Sequence, residues 1–374
     1  MATAARDALV TQLGQLPEPF ATCGGRAAVA QVEARYEQAL RAVPEGRSKV
    51  QGIRLGRAAA ETMLALREGD GSDTRILDPD YPQGTRPGEY RFTPDGAQYA
   101  LGPGWGRVRL FVLEHPAQFA SPPPLPLTSR AYAVDFEEVK RLGGNGTTTP
   151  SARTEEQTEI ARFWIESSPQ AWNRIALAAV QTRGGDLWAS ARLFALLNLA
   201  LADGYIANFH EKYDRHPAWR PITAIRLADQ DGNPRTIADP TWTAIGPAPA
   251  IPEHESGHAL EGGAAAQVLH RLLGRVPFST CSATLPAGQT CNEPGAVHRS
   301  YRSFFHAARE NALSRIYAGW HFRHATQVGL RRGRRIGQYV VRHALTPVRC
   351  TGTSWGARGL GAGSSSRAQA GRCR

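Results

Sequence analysis

Pro252-Glu253-His254-Glu255-Ser256-Gly257-His258 runs directly into Ala259-Leu-Glu-Gly-Gly-Ala-Ala-Ala-Gln-Val-Leu-His-Arg-Leu-Leu273, and this stretch decides how the chain is read. The second half reads as a helix with Leu269, Leu272 and Leu273 along one side. A Ser-Gly at its start presents backbone N–H groups that no preceding turn uses, and glycine lets an anion come close to the main chain. His258 then falls in the first helical turn, beside that anion. Taken by itself, Ser256 reads equally as a plain N-cap.

Two more blocks lie outward from this one. Upstream is Lys212-Tyr-Asp-Arg-His-Pro-Ala-Trp-Arg220-Pro221, and downstream is Ser314-Arg315-Ile-Tyr-Ala-Gly-Trp-His321. Among the residues of the three blocks are Lys212, Arg220 and Arg315, a small polar turn at Ser256-Gly257, and the histidines His258 and His321. Guanidinium groups grip two oxygens through paired hydrogen bonds, and ammonium adds a compact charge. One histidine is suited to acid–base work and the other to bonding the central atom. The inventory fits an oxyanion such as phosphate or vanadate. A break at Ala318-Gly319 is expected to turn Arg315 and His321, six residues apart, towards one point.

The three blocks resemble the signature of the vanadium-dependent haloperoxidases and the type 2 phosphatidic-acid and acid phosphatases, which share one helical fold. That signature is Lys, six residues, Arg-Pro; then Pro-Ser-Gly-His; then Ser-Arg, five residues, His. Trp219-Arg-Pro-Ile-Thr-Ala-Ile-Arg226, Phe194-Ala-Leu-Leu-Asn-Leu-Ala-Leu-Ala-Asp203 and Ser314-Arg-Ile-Tyr-Ala-Gly319 are similar to the soluble bacterial haloperoxidase branch. The likeness extends from about residue 30 to about residue 345. It implies that Lys212, Arg220, Ser256, Gly257 and Arg315 hold vanadate, that His321 bonds vanadium, and that His258 is the acid–base group. The implied reaction is oxidation of halide by hydrogen peroxide to hypohalous acid. The phosphatase alternative uses the same atoms on a phosphomonoester, with His321 as the nucleophile and His258 protonating the leaving alcohol.

The chain departs from the family's pattern at four places, and one further residue bears on Arg315. Seven residues, not six, separate Lys212 from Arg220, so a one-residue bulge is needed to deliver Lys212, with Arg215 as the substitute. Glu255 replaces the Pro before Ser-Gly-His, where a carboxylate repels an anion unless it turns to an Arg or to solvent. Ile251 stands where chloride-oxidising relatives carry an aromatic residue, which points to bromide or iodide. Ala325 stands where relatives often place an Asp to orient the second histidine, so another acceptor must do so. Glu310 is in sequence reach of Arg315, as a partner or as a core cap.

The expected architecture is all-α, a helical bundle of the haloperoxidase and acid phosphatase type with a loop-rich N-terminal third. Residues 1–20 read as a flexible start, 21–153 as a helical and loop-rich part of the same domain, 154–345 as the helical core, and 346–374 as a disordered basic tail. Helical periodicity covers 27–68 and then 154–167, 169–182, 184–208, 256–273, 299–316 and 321–344. Residues 70–135 read as loop with a short strand near 108–113, and 227–255 as a long loop.

At 41% hydrophobic and 21% charged residues the chain reads as soluble and globular. Its best apolar run, Leu193 to Ile206, is broken by Asn198 and Asp203, which argues against a membrane span. Residues 331–374 hold ten Arg and no acid, so they carry most of the net charge of +11 and leave the body nearly neutral. No nucleic-acid role is read from that tail. Arg331, Arg332, Arg334 and Arg335 are expected near a helix C-terminus, where cations are favoured. No secretory signal is read in Met1-Ala-Thr-Ala-Ala-Arg-Asp. Cys281 and Cys291 flank a Pro/Gly turn and are expected to form a disulfide, which together with the resemblance suggests an extracytoplasmic setting.

Overall fold

The computed structural model describes residues 1–347 apart from 17, 19 and 292. Two compact units divide at Asp73 and Thr74. The first holds α1 (Ala2–Gly14), α2 (Arg26–Arg41) and α3 (Arg47–Leu66). Its helices meet where Gly56 admits the Thr3 side chain, and Arg6 bonds Glu33 across α1 and α2 at 3.0 Å. Helix α1 therefore occupies the start that the sequence suggested was loose. A unit ending at Asp73 also differs from the expectation that 21–153 belongs with the core.

The second unit begins with loops and two short strands, β1 (Leu77–Asp78) and β2 (Ala100–Leu101), paired antiparallel with Leu77 opposite Leu101. The strand expected near 108–113 does not form. Instead the backbone N–H groups of Phe111, Val112 and Leu113 converge on the buried carboxylate of Asp203 at 2.7–2.8 Å. Those donors are therefore committed to a side chain rather than to a neighbouring strand.

Helix α4 (Arg130–Gly143) was hidden by its neighbours' Pro and Gly content; Ser129 caps it by accepting from Tyr132 N. Then follow α5 (Glu155–Phe163), opened by a Thr154/Gln157 capping box, α6 (Ser168–Arg183) and α7 (Leu187–Phe209). The short α8 (Pro221–Arg226) starts with Pro at its first position, where a missing N–H costs nothing. Helices α9 (Gly257–Leu273), α10 (Phe304–Tyr317) and α11 (Arg323–His343) complete the bundle. Residues 299–301, expected at the start of a helix, form β4 (Arg299–Tyr301) against β3 (Phe278–Thr280). Helix α10 begins only at Phe304, where Ser303 accepts from His306 N. The all-α expectation holds, since these two hairpin-like pairs are the named strands of the described residues. No described helix is long and apolar enough to cross a membrane. The expected tail lies, from residue 348 on, outside the described residues.

Helix α9 is the centre of the second unit. Its Leu260, Ala264, Ala265, Ala266, Val268 and Leu269 have no exposed surface. Small residues let α11 approach its backbone. Gly329, Gly333 and Gly337 recur every four residues on one face of α11. A Cβ at Gly329 would lie 2.6 Å from Ser256 O, and one at Gly337 2.5 Å from Ala264 O. At Gly333 it would collide outright with the Leu260 carbonyl. Arg332 beside it is buried in mid-helix, not near the C-terminus as the sequence suggested.

The Cys281–Cys291 disulfide is present, with Cα atoms 5.2 Å apart. Its loop is tied to the core: Ser282 Oγ donates to Phe163 O at 2.6 Å, and Arg174 Nε donates to Cys281 O at 3.2 Å.

Gly333→Ala is expected to destabilise the protein by about 3 kcal/mol, the upper part of the range for overpacking, because backbone and not a flexible side chain blocks the new methyl. Chemical denaturation of the variant and wild type measures this, and an unchanged midpoint would contradict the packing described here.

Candidate functional site

Helix α7 does not end cleanly at Phe209. It passes into one π-helical turn, His210–Arg215, in which His216 N bonds Glu211 O at 2.8 Å. A π turn holds one residue more than an α turn. That extra residue is the bulge the sequence needed, and it carries Lys212 inward. Lys212 is completely buried, and its Nζ donates to Pro252 O at 2.7 Å and Glu253 O at 3.0 Å. Arg215, the alternative, turns away to Glu211 at 2.8 Å with its side chain about one-third exposed.

Arg220 sits in extended conformation ahead of Pro221 and is also completely buried. Backbone carbonyls aim its guanidinium: Nε donates to Ile251 O at 2.7 Å and Nη1 to Trp320 O at 2.9 Å. Nη1 also lies 2.9 Å from His321 Nε2, while Nη2 has no partner. Arg315, in the last turn of α10, is likewise buried. Its Nη1 donates to Trp164 O at 2.9 Å, its guanidinium lies 4.5 Å above the Trp320 ring, and its Nε has no partner. The chain then turns at Gly319, φ +78°, where a Cβ would lie 2.6 Å from Gly143 O. That turn brings His321 back to the Arg220 guanidinium, as the break at Ala318-Gly319 suggested.

His321 finds its acceptor in Glu253. Nδ1 lies 2.9 Å from Glu253 Oε1, which also accepts from Phe322 N at 3.0 Å. The carboxylate makes Nδ1 the protonated nitrogen and leaves the Nε2 lone pair pointing to the guanidinium. The sequence reading missed Glu253. The signal was the vacancy at Ala325 together with an unexplained acid inside the decisive stretch. Burial pushes the Glu253 carboxyl up to about 7, against the pull of Lys212 and Arg220.

Ser256 is the N-cap residue of α9, yet its hydroxyl caps nothing. Its Oγ is fully buried and without a partner. An uncapped, unsatisfied hydroxyl argues against the plain N-cap reading. Gly257 and His258 follow and are partly exposed. His258 Nε2 lies 3.0 Å from Glu166 O, so this nitrogen is the donor and Nδ1 keeps a lone pair. Asn311 Nδ2 donates to His258 O at 3.2 Å.

Burial, and then the neighbouring cations, hold both histidines well below the ordinary imidazole range, so both rings are neutral at neutral pH. The cations are depressed for the same reason. Burial and Arg220 lower Lys212, and burial and Arg220 push Arg315 down to about 9. Two acids close by are already engaged. Arg332 Nη1 bonds Glu255 Oε1 and lies 3.5 Å from Glu211 Oε2, and Ser121 Oγ donates to Glu255 Oε2. Glu255 is thereby turned to an Arg, the arrangement its place in the sequence required. Glu310 does not serve Arg315; its carboxylate takes Arg299, Tyr301 and Trp164 instead. It belongs to the β4–α10 corner.

The arrangement therefore has three buried cations, one facing carboxylate, and unpartnered donor atoms on Arg220, Arg315 and Ser256. Such a donor set suits an anion with several oxygens. Vanadate or phosphate fits this donor set, with His321 Nε2 available to the central atom. Among the described residues no cluster of His, Cys, Asp or Glu has the arrangement that holds a metal cation.

A family model described as the VCPO second helical-bundle domain matches residues 192–349, a span that contains all seven expected site residues. The chain is similar to the vanadium chloroperoxidase of Curvularia inaequalis, 26% identical over 280 residues, covering 59% of this chain and 45% of that protein. It thus spans less than half the length of that relative. Among solved structures, the first bacterial vanadium-dependent iodoperoxidase is 27% identical with a TM-score of 0.68, over 84% of this chain and 75% of that one. A holo-type bacterial vanadium-dependent chloroperoxidase, 20% identical, shares the fold with a TM-score of 0.64 over 91% and 82% of the two chains.

One turn below His258, Glu261 is buried, and burial pushes its carboxyl up to about 8 against the pull of Ser168 and Arg315. In the unfolded chain the group titrates near the ordinary 4.3. Its neutral form is thus favoured by folding. The associated stability is full below the unfolded value and is lost as pH rises towards 8. Glu261→Gln, which keeps the shape and stays neutral, is expected to melt increasingly above the wild type as pH is raised from about 4 to about 8. Melting curves across that interval test it; a constant difference would show that folding does not shift the titration of this carboxyl.

Proposed function

We propose, from its similarity to the vanadium haloperoxidase superfamily and from the site above, that the chain is a vanadate-dependent haloperoxidase that oxidises bromide or iodide with hydrogen peroxide to hypohalous acid. The observation that carries this reading is the buried cation surplus around His321 Nε2, with unpartnered donors on Arg220, Arg315 and Ser256. When bound, vanadate would supply Lewis-acid activation of hydrogen peroxide towards halide, with no change in its own oxidation state.

The chain's residues do the rest. Lys212, Arg220 and Arg315 would neutralise the oxyanion, and Ser256 Oγ and the Gly257 N–H would donate to its oxygens. His321 would bond the metal through Nε2, held in that tautomer by Glu253. His258 is neutral and keeps a free lone pair on Nδ1, so it can take the proton that hydrogen peroxide must lose on binding. Trp320 and Trp164 exclude water around Arg315, which strengthens each of these charge interactions.

The halide preference rests on Ile251. Its carbonyl holds Arg220, and its side chain packs in the small cluster of Ala100, Phe209 and Tyr213. An aliphatic residue there leaves out the aromatic wall of chloride users.

The test compares wild type, His321→Ala and His258→Ala in bromination of a phenol-red type dye, with and without added orthovanadate. His321→Ala is expected to lose vanadate affinity steeply. His258→Ala is expected to keep most of that affinity and to lose about 10²–10⁴-fold in turnover, the usual effect of a missing acid–base group. Phosphomonoester hydrolysis with no vanadate-dependent bromination would assign the site to the phosphatase chemistry instead.

A further inference from the structure

Glu255 immediately precedes Ser256, and its side chain has no exposed surface. A buried carboxylate so close to an anion site opposes the anion unless a cation holds it. The cation here is Arg332, which is itself 3% exposed. Its Nη1 pairs with Glu255 Oε1 and lies 3.5 Å from Glu211 Oε2, and its Nη2 donates to Pro116 O at 2.7 Å. Ser121 Oγ donates to the second oxygen of Glu255. We propose that Arg332 is a positioning residue of the oxyanion site: by holding the Glu255 carboxylate it keeps that charge off Lys212 and leaves the positive charge of the site to the anion.

Lys212 is the cation that Glu255 would otherwise take. Burial and then Arg220 lower Lys212, and Glu255 is among the charges that oppose them, so the two groups are within electrostatic reach. Arg215, three residues from Lys212, is already spent on Glu211 through both carboxylate oxygens, at 2.8 and 3.1 Å. A carboxylate released by Arg332 therefore turns to the Lys212 ammonium and cancels one of the three charges that face the anion. The main chain of the turn is held by other groups. Glu255 O accepts from Asn208 Nδ2 at 3.1 Å, and Ser256 N donates to Ala325 O at 3.2 Å. Loss of the guanidinium thus frees the carboxylate more than it moves Ser256.

This inference rests on the oxyanion reading of the site and not on peroxidase chemistry. The probes are inorganic phosphate and orthovanadate, each titrated calorimetrically into the full chain without peroxide or halide. Arg332→Gln is expected to weaken phosphate about tenfold, a coupling usual for groups in direct contact. Glu255→Gln is expected to bind at least as tightly as the wild type. The double variant is expected to return to within about threefold of the wild type, because the charge that Arg332 restrains is gone. An Arg332 that only supports the fold would leave the double variant as weak as Arg332→Gln. That result overturns the proposal, and so does wild-type affinity in Arg332→Gln. Should Arg332→Gln not fold, the double variant decides, since removing both members of a buried pair is tolerated where removing one is not. A loss of about tenfold or more in it would show that Arg332 serves the site otherwise than through Glu255. A wild type that binds neither anion would overturn the oxyanion reading itself, and this inference with it.

Discussion

Three fully buried cations that face a single carboxylate set the terms for this molecule. Taking an ion out of water costs several kcal/mol even after the protein relaxes around it. Lys212, Arg220 and Arg315 meet that cost partly through backbone carbonyls: Pro252 and Glu253 for the ammonium, Ile251 and Trp320 for one guanidinium, Trp164 for the other. Each carbonyl takes one N–H and thereby aims the remaining ones. Competing acids are drawn off by Arg332, which holds Glu255 and approaches Glu211. What is left is positive charge fixed in direction, the preorganisation that oxyanion chemistry requires.

The scaffold is shaped by that requirement. Arg332 reaches Glu255 only because α11 lies against α9 at backbone contact, which Gly329, Gly333 and Gly337 permit. The same contact places Ser256, since its N–H donates to Ala325 O at 3.2 Å. The π turn at 210–215 and the positive φ at Gly319 are the two local irregularities of the backbone that bring Lys212 and His321 into place.

Much of this was legible in the sequence. Hydrophobic period gave α2, α3, α5, α6, α7, α9 and α11 to within a few residues, because each buries one face against α9 or its own unit. The three blocks singled out Lys212, Arg220, Arg315, His258 and His321, which the fold does bring near one another, because charged and small residues in that pattern have few other uses in one place. What escaped was non-local. Glu253 reads as a loop acid until His321 is seen beside it, 68 residues away in the chain. Arg332 reads as one of a surface cluster until Glu255 is found. Helical spacing left Glu310 open between Arg315 and a core cap, and it is β4 that brings Arg299 to it. Helix α4 follows a Pro-rich stretch and β4 spans only three residues beside turns, so neither stands out in the local pattern.

The link from α5 to α6 carries the carbonyls that hold Arg315 and His258, those of Trp164 and Glu166. The same link is gripped from outside by the disulfide loop, through Ser282 on Phe163 O and through Arg174 between Cys281 O and the Glu166 carboxylate. Closing a loop of this length by a covalent bond removes chain entropy from the unfolded state worth about 3 kcal/mol. His258 is thus linked, through main-chain contacts, to a crosslink near the surface that it does not touch. The link runs along the main chain, from a sulfur bridge to a carbonyl to an imidazole.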